Sequence, residues 1–136
     1  MLLKGLPCSG KTEWAERWVA EDATRRVRVS WRDLLWTLTT RPTRLTWLLA
    51  MEGAVHLMVE AMKQGMSVVV DEENLNGVEW GVFVAHAQKY KARVRWQAMP
   101  VDVEESKWRN RLSPHPCLEM DIERKAADYG AWLKQK

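Results

Sequence analysis

Residues 5–12 read Gly5-Leu6-Pro7-Cys8-Ser9-Gly10-Lys11-Thr12, which fits the Walker A pattern G-x-x-x-x-G-K-[ST]. The two glycines let the backbone curl so that successive N–H groups point at a polyphosphate. Lys11 can then reach the phosphate oxygens, and the Thr12 hydroxyl is placed to ligate Mg²⁺. The stretch therefore predicts a site for ATP or another NTP with its Mg²⁺. The predicted nucleotide-binding residues are Gly5, Pro7, Cys8, Ser9, Gly10, Lys11 and Thr12.

The sequence on both sides of this loop supports the same interpretation. Met1 to Leu3 is a short apolar stretch, and residues 13–20 form an amphipathic run. Strand, loop and helix is the order in which a Walker A loop occurs. The positive N-terminal end of that helix would also face the phosphates.

Length and composition limit the class of protein. A chain of 136 residues predicts one domain, and 46% apolar with 29% charged residues is typical of a soluble globular protein. No apolar run approaches the ~20 residues of a membrane span, so we expect no membrane partner and no signal peptide ahead of Gly5. Cys8 and Cys117 lack metal-type spacing. They predict a reduced, cytoplasmic setting with no disulfide and no zinc.

Positive charge is concentrated in two segments, although the net charge of the chain is only +3. Residues 25–44 hold six arginines and one acid, Asp33, for a net +5, and residues 89–111 carry a net +4. Such segments indicate anionic partners, with nucleic acid among them. Solvated faces of ordinary strands and helices explain the same charges, and both interpretations stay open.

Acidic residues follow two of the predicted strands. Residues 26–30 alternate polar and apolar side chains, as in an edge strand, and Asp33 follows them. Residues 67–71 form an apolar run, as in a central parallel strand, that ends at Asp71. Functional groups collect at the carboxyl ends of such strands. Asp71 or Glu72 is then a Walker B-like acid for Mg²⁺ or the Thr12 hydroxyl, unless these acids only cap the next turn or helix.

The rest of the chain predicts helices over about 46–64, 78–89, 102–111 and 118–133, with a fourth strand over 92–99. The basic end of the third of these helices is joined to a proline-rich turn. It predicts a lid over about 107–118 that delivers Arg109 or Arg111 to the transferring phosphate. His115 in that turn is interpreted as a loop residue. Three tryptophans flank the predicted site and could stack on bases: Trp31, Trp36 and Trp108.

Several separated segments together resemble the polynucleotide 5′-hydroxyl kinase family, including the bacteriophage kinase domain, and its P-loop kinase relatives. Residues 5–15 are similar to the family's Gly-x-Pro-x-Ser-Gly-Lys-Ser/Thr loop with its following Trp-Ala. Arg32-Asp33 resembles the Arg-Asp pair after the second strand. Residues 68–76 resemble the third strand with its Asn-Leu-Asn ending, and residues 108–111 the Arg-Asn-containing lid helix. The resemblance covers nearly the whole chain.

The resemblance implies an α/β P-loop NTPase kinase fold, with a mostly parallel four-stranded sheet flanked by helices and a small lid in one domain. It implies that Asp33 accepts the proton of the attacking 5′-hydroxyl, with Lys11 on the phosphates and Thr12 with Asp71 at the metal. The acceptor contacts implied are Arg32, Trp36 and Asn74. The family's acceptor-phosphate arginine falls on Trp36, however, and its lid arginine falls on Ser113, so Arg109 or Arg111 would serve instead.

The function predicted is transfer of the γ-phosphate of an NTP to the 5′-hydroxyl of DNA or RNA. We expect no 3′-phosphatase activity, because no Asp-x-Asp motif is present. One alternative is a kinase for a small hydroxylated molecule or a modified base, which the loss of arginine at Trp36 favours. A second is a non-catalytic nucleotide-binding module in which Asp33 is only a helix cap. The sequence does not indicate the oligomeric state.

Overall fold

The structure, a computed structural model, describes residues 1–135 and forms one sheet flanked by helices. The strands are β1 (Leu2–Lys4), β2 (Arg26–Val29), β3 (Ser67–Val70) and β4 (Trp96–Ala98). The helices are α1 (Lys11–Ala20), α2 (Trp31–Leu38), α3 (Arg44–Lys63), α4 (Gly77–Lys89), α5 (Val103–Arg111) and α6 (Glu119–Lys134).

The four strands are all parallel and lie in the order β2-β3-β1-β4. This arrangement confirms the predicted mostly parallel four-stranded sheet flanked by helices. β2 is an edge strand and β3 an interior strand, as predicted, and Val68, Val69 and Val70 of β3 are buried. Because all strands run the same way, their carboxyl ends meet at one edge of the sheet. The Walker A loop, Asp33 and Asp71 all follow strands at that edge.

Side chains alternate between the two faces of the sheet and so divide the core. Leu2 and Val70 pack on the face covered by α2, α3 and α4, whereas Leu3 and Val69 pack on the other face against Ala15 of α1. On the first face the buried tryptophan Trp31 makes an edge contact with Trp47, which is therefore part of the core.

Capping side chains and strand pairing set the first and last residues of several helices and strands. α2 begins at Trp31 because the Ser30 side chain caps it, and α3 begins at Arg44 because Thr43 forms a capping box there. The fourth strand was predicted over 92–99 but spans only Trp96–Ala98. β4 pairs with β1 alone, and β1 has three residues, so the hydrogen-bonding partner sets the length.

α3 is, by length and composition alone, long and apolar enough to cross a membrane, contrary to the prediction that no segment would be. A third of its 18-residue apolar window is buried inside the protein, and Ala50, Ala54 and Met58 pack into the core. A core helix passes the same test of length and composition. We therefore interpret α3 as a packed helix of this fold.

α6 is hydrogen-bonded to the edge of the sheet at which β1 and β4 end. The buried Tyr129 hydroxyl donates to the carbonyl oxygens of Met99, at 2.9 Å, and Lys4, at 3.3 Å. The Lys4 ammonium is fully buried and lies 4.1 Å from the ring centre of Trp132 and 4.8 Å from that of Trp96. Such cation–π contacts compensate part of the cost of burying the charge.

Candidate active site

The Walker A loop has backbone geometry that only glycine suits at two positions. A Cβ atom on Gly5 would lie 2.7 Å from the Ser9 Oγ and 2.9 Å from the Met99 Cβ, closer than real Cβ contacts. Gly10 has φ +90°, a left-handed conformation that side chains rarely adopt, and Cys8 also has a positive φ of 57°. Successive backbone groups around such residues form a concave, anion-binding turn.

The N-terminus of α1 opens onto this turn. The N-cap residue is Gly10, which has no side chain to cap the first-turn N–H groups. A Cβ atom on Gly10 would lie 3.4 Å from Glu13 Oε2 and 3.6 Å from Arg109 Nη1, so glycine keeps the space between them open. The loop and helix end therefore fit a phosphate chain bound by backbone N–H groups.

The Lys11 ammonium folds back over the loop and donates to the carbonyl oxygens of Gly5 and Leu6. Burial lowers the pKa of this ammonium, while Glu73 and Asp71 partly oppose that effect. These partners and the Ser9 hydroxyl, at 3.4 Å, are all neutral, so a phosphate would replace them with an acceptor of opposite charge.

A row of hydrogen bonds joins the Walker A threonine to Asp33. The Thr12 hydroxyl donates to Asp71 Oδ2 at 2.8 Å, and the same oxygen accepts from Arg28 at 2.7 Å. Arg28 also donates to Asp33 Oδ2 at 2.6 Å. Asp71 is buried, whereas the Asp33 side chain is 60% exposed. One arginine on β2 thus connects the carboxylate beside the loop to the carboxylate on the open side.

The contact with Thr12 distinguishes the two candidates for the Walker B-like acid. Asp71 holds the Thr12 hydroxyl, while Glu72 accepts from the backbone N–H of Arg32 at 3.3 Å and from Ser30. Burial raises the pKa of Glu72 to about 7, although Arg32 opposes the rise. The geometry therefore favours Asp71 for the metal role, and Glu72 is a buried acid beneath the N-terminus of α2.

Glu73 lies in a second ionic cluster with residues of α2 and α6. It accepts from Arg32 at 2.9 Å and from Lys125 at 2.6 Å. Burial alone would raise the pKa of Glu73, but Arg32 and Lys125 together outweigh it and hold that pKa below the ordinary value. The cluster fixes Arg32 next to the site and ties α6 to the end of β3.

The two arginines proposed for the lid lie on different sides of α5. Arg109 lines the cavity above Gly10 and pairs with Glu105 at 2.8 Å on its own helix. Arg111 does not line the cavity and pairs with Glu119 of α6 at 2.6 Å. Of the two, Arg109 is the arginine that the structure places at the phosphate loop.

These groups surround one open cavity of about 430 Å³. Its lining combines the Walker A loop with charged residues from the other strand ends. The lining residues are Cys8, Ser9, Gly10, Lys11, Thr12, Glu13, Arg28, Ser30, Arg32, Asp33, Asp71, Glu72, Glu73, Arg109 and Leu112. The cavity thus has a phosphate-binding side at the loop and an acidic side at Asp33.

One of the predicted substrate contacts needs correction. Asn74 is fully buried and donates to the carbonyl oxygen of Leu3 at 2.7 Å, so it connects β3 to β1 instead of facing the cavity. Its φ of +50° fits this turn, because asparagine tolerates the left-handed region. Trp36 does not line the cavity and stacks on His115. Arg32 does line it, and Trp31 is too buried to receive a base.

Sequence reasoning did not single out Arg28, Glu73 or Lys125 as site residues. Arg28 is near the carboxyl end of β2, so the rule that found Asp33 could also have found it. Glu73 follows Asp71 by two residues and offered the same positional signal. Nothing in the sequence brings Lys125, 52 positions after Glu73, to this edge of the sheet.

The model of the AAA_33 family, described as an AAA domain, matches residues 1–116. The chain belongs to this family. The AAA_33 match includes the Walker A loop, both strand-end acids and α5, but not α6. No curated protein matches the sequence significantly.

Two solved structures match this fold at low sequence identity. A chain of "Structure of the Pnkp1/Rnl/Hen1 RNA repair complex" matches with a TM-score of 0.85 and 17% identity, over 99% of this chain and 45% of its own. A chain of "Structure of Pnkp1/Rnl/Hen1 complex" matches with a TM-score of 0.68 and 18% identity. This match covers 86% of the present chain and 39% of the matched one. This AAA_33 chain thus spans less than half of each matched chain. Together these matches confirm the predicted P-loop NTPase kinase fold.

Proposed function

We propose that this chain is a kinase that transfers the γ-phosphate of ATP or another NTP to the 5′-hydroxyl end of DNA or RNA. The observation that supports this most is the hydrogen-bonded row from Thr12 through Asp71 and Arg28 to Asp33. It places an accessible carboxylate in the same cavity as the phosphate loop. Ser30, and not Asp33, provides the side-chain cap of α2, which favours the catalytic role over the capping one.

The donor side of the proposed site is the Walker A loop. Its N–H groups and Lys11 would hold the phosphates of the NTP, and Thr12 with Asp71 would hold Mg²⁺. The nucleotide supplies the phosphoryl group, and Mg²⁺ neutralises the charge that develops on its oxygens. Arg109, which lies at the open side of Gly10, would contact the transferring group.

The acceptor side is Asp33. A bond forms between the 5′-oxygen and the γ-phosphorus, and the bond from that phosphorus to the β,γ-bridging oxygen breaks, so the NDP leaves. Asp33 accepts the hydroxyl proton, and Arg28 holds the carboxylate in orientation through its 2.6 Å hydrogen bond. Phosphoryl transfer requires mainly such positioning and electrostatic stabilisation.

Transfer of labelled γ-phosphate to a 5′-hydroxyl oligonucleotide tests the proposal. We expect Asp33→Asn to reduce kcat by about 10²- to 10⁴-fold, because the amide cannot accept the proton. Lys11→Ala should abolish transfer by removing the cation from the phosphates. Asp128→Asn is the matched control, since it makes the same change at an exposed acid on α6 away from the cavity.

The outcomes separate the candidate functions. Transfer that resists Asp33→Asn would contradict the role of Asp33. Binding of ATP without labelling of DNA or RNA would refute the polynucleotide proposal. Transfer to small hydroxylated acceptors would then support the second candidate, which tryptophan at position 36 favours because an indole cannot bind a phosphate.

A further inference from the structure

The indole ring of Trp36 stacks on an exposed side chain. Its partner is His115, with ring centres 3.6 Å apart and planes inclined by 4°. The two rings therefore lie almost directly over each other. Aromatic pairs prefer offset or edge-to-face packing to this face-to-face arrangement, so the contact is a weak one.

The stack lies beside the acceptor side of the cavity. Trp36 follows Asp33 by three residues on α2, and side chains at that spacing are neighbours on one helix face. His115 follows Leu112, which lines the cavity, in the segment between α5 and α6. A nucleotide carries its 5′-hydroxyl and its base on one ribose. When the 5′-hydroxyl is bound at Asp33, the base of the same nucleotide is therefore only one sugar away and can lie near Trp36.

We propose that Trp36 binds the base of the acceptor's 5′-terminal nucleotide, which takes the place of the His115 ring. The inference rests on the proposed function and specifies its acceptor. An indole has a flat π-face and no positive charge, so it selects a base and not a phosphate. A base offers a larger stacking surface than an imidazole.

His115 is the group that must leave, and the structure allows it to. The residue is exposed, and its backbone N–H donates a local hydrogen bond to Ser113 Oγ at 3.2 Å. Both bases and imidazole compete for the same face of Trp36. Removal of the histidine ring should therefore strengthen acceptor binding, whereas removal of the indole should weaken it.

Binding of two short DNA oligonucleotides tests this inference. Both carry a 5′-hydroxyl and a 3′ fluorophore, and they differ only in that one has an abasic 5′-terminal nucleotide. Fluorescence anisotropy with Mg²⁺ and a non-hydrolysable ATP analogue gives Kd without requiring transfer. We expect the wild type to bind the base-bearing oligonucleotide about 5- to 150-fold more tightly, as stacking on one aromatic side chain provides.

The variants give effects of opposite sign. Trp36→Ala should abolish the preference for the base, Trp36→Phe should retain much of it, and His115→Ala should lower Kd for the base-bearing oligonucleotide about two- to fivefold. Tyr90→Ala is the control, because Tyr90 is an exposed aromatic residue at the end of α4 and does not line the cavity. It should keep the preference. Thermal melting confirms that each variant is folded.

Equal Kd values for the two oligonucleotides in the wild type would overturn the inference. So would a His115→Ala variant that weakens binding as Trp36→Ala does, which is the result expected if the stack only holds the loop against α2. Absence of phosphate transfer with a preserved base preference would refute the proposed kinase function alone, so the two failures are distinguishable.

Discussion

Glu72 and Glu73 are adjacent in the chain, yet their pKa values shift in opposite directions. Burial raises the pKa of both, but only Glu73 has two cations against its carboxylate, Arg32 and Lys125. Glu72 receives hydrogen bonds from Ser30 and the Arg32 backbone and keeps a pKa of about 7. Side-chain contacts, and not position in the sequence, determine which of the two is ionised near neutral pH.

Glu72 should make the free energy of unfolding depend on pH. The pKa of Glu72 is about 7 in the folded protein, against 4.5 for the ordinary value that applies to the unfolded chain. Its contribution to the free energy of unfolding is therefore full below pH 4.5 and is lost as the pH rises through 7. Glu72→Gln should therefore raise the free energy of unfolding at pH 8, by up to about 3 kcal/mol, and change it little at pH 4.5.

Urea unfolding at the two pH values, in EDTA to exclude divalent ions, measures this difference. Glu16→Gln is the control, because Glu16 is an exposed acid on α1. Parallel pH curves for the wild type and Glu72→Gln would contradict the raised pKa.

At the scale of single elements, α5 presents two arginines to different parts of the protein. Successive helical residues are rotated by about 100°, so Arg109 and Arg111 point to nearly opposite sides. Arg109 faces the phosphate loop and Arg111 pairs with Glu119 of α6. The helix thus has one arginine for the cavity and one for packing.

Arg109→Gln should lower kcat for phosphate transfer by at least about 10²-fold, because arginines that contact a transferring phosphoryl group contribute 10³ or more. Arg111→Gln, the matched change two residues away, should leave kcat within a few-fold. The same γ-phosphate transfer assay measures both. A larger loss in Arg111→Gln would mean that α5 turns or shifts when nucleotide binds.

At the scale of the whole molecule, the donor and acceptor sides of the cavity come from different parts of the chain. Nucleotide binding should therefore be separable from catalysis. We expect Mg²⁺–ATP to raise the melting temperature of the wild type, since ligand at 100 times Kd adds about 2.7 kcal/mol. Asp33→Asn should keep this shift, and Lys11→Ala or EDTA should reduce it.

Differential scanning fluorimetry with and without Mg²⁺–ATP gives these shifts for each variant. An equal shift in Lys11→Ala would contradict the Walker A role of that lysine. Loss of the shift in Asp33→Asn would show that Asp33 belongs to the nucleotide side of the cavity.

The sequence was sufficient to predict the parts of the fold that depend on local patterns. The Walker A glycines predict the P-loop. The run of valines in β3 predicts an interior strand, and the alternation in β2 predicts an edge strand. The acids after two parallel strands were expected at one edge, because strand direction alone places them there. Asp33 and Asp71 are both in the cavity.

Contacts between distant residues could not be predicted in the same way. Asn74 looks like a site residue in sequence, but its left-handed turn directs its amide to the Leu3 carbonyl. Arg28 looks like one arginine of a basic segment, yet it alone joins Asp33 to Asp71. The length of β4 depended on its partner strand. Each of these features is set by tertiary packing, which local patterns do not encode.

α6 lies beyond the segment that the family model matches, which ends at residue 116. Yet this helix provides Lys125 to Glu73 and Tyr129 to the ends of β1 and β4. A fragment ending at residue 116 would leave Glu73 buried with one cation fewer and the Met99 carbonyl without its tyrosine. The segment that the family model matches therefore ends before residues that complete the packing around Glu73 and the sheet.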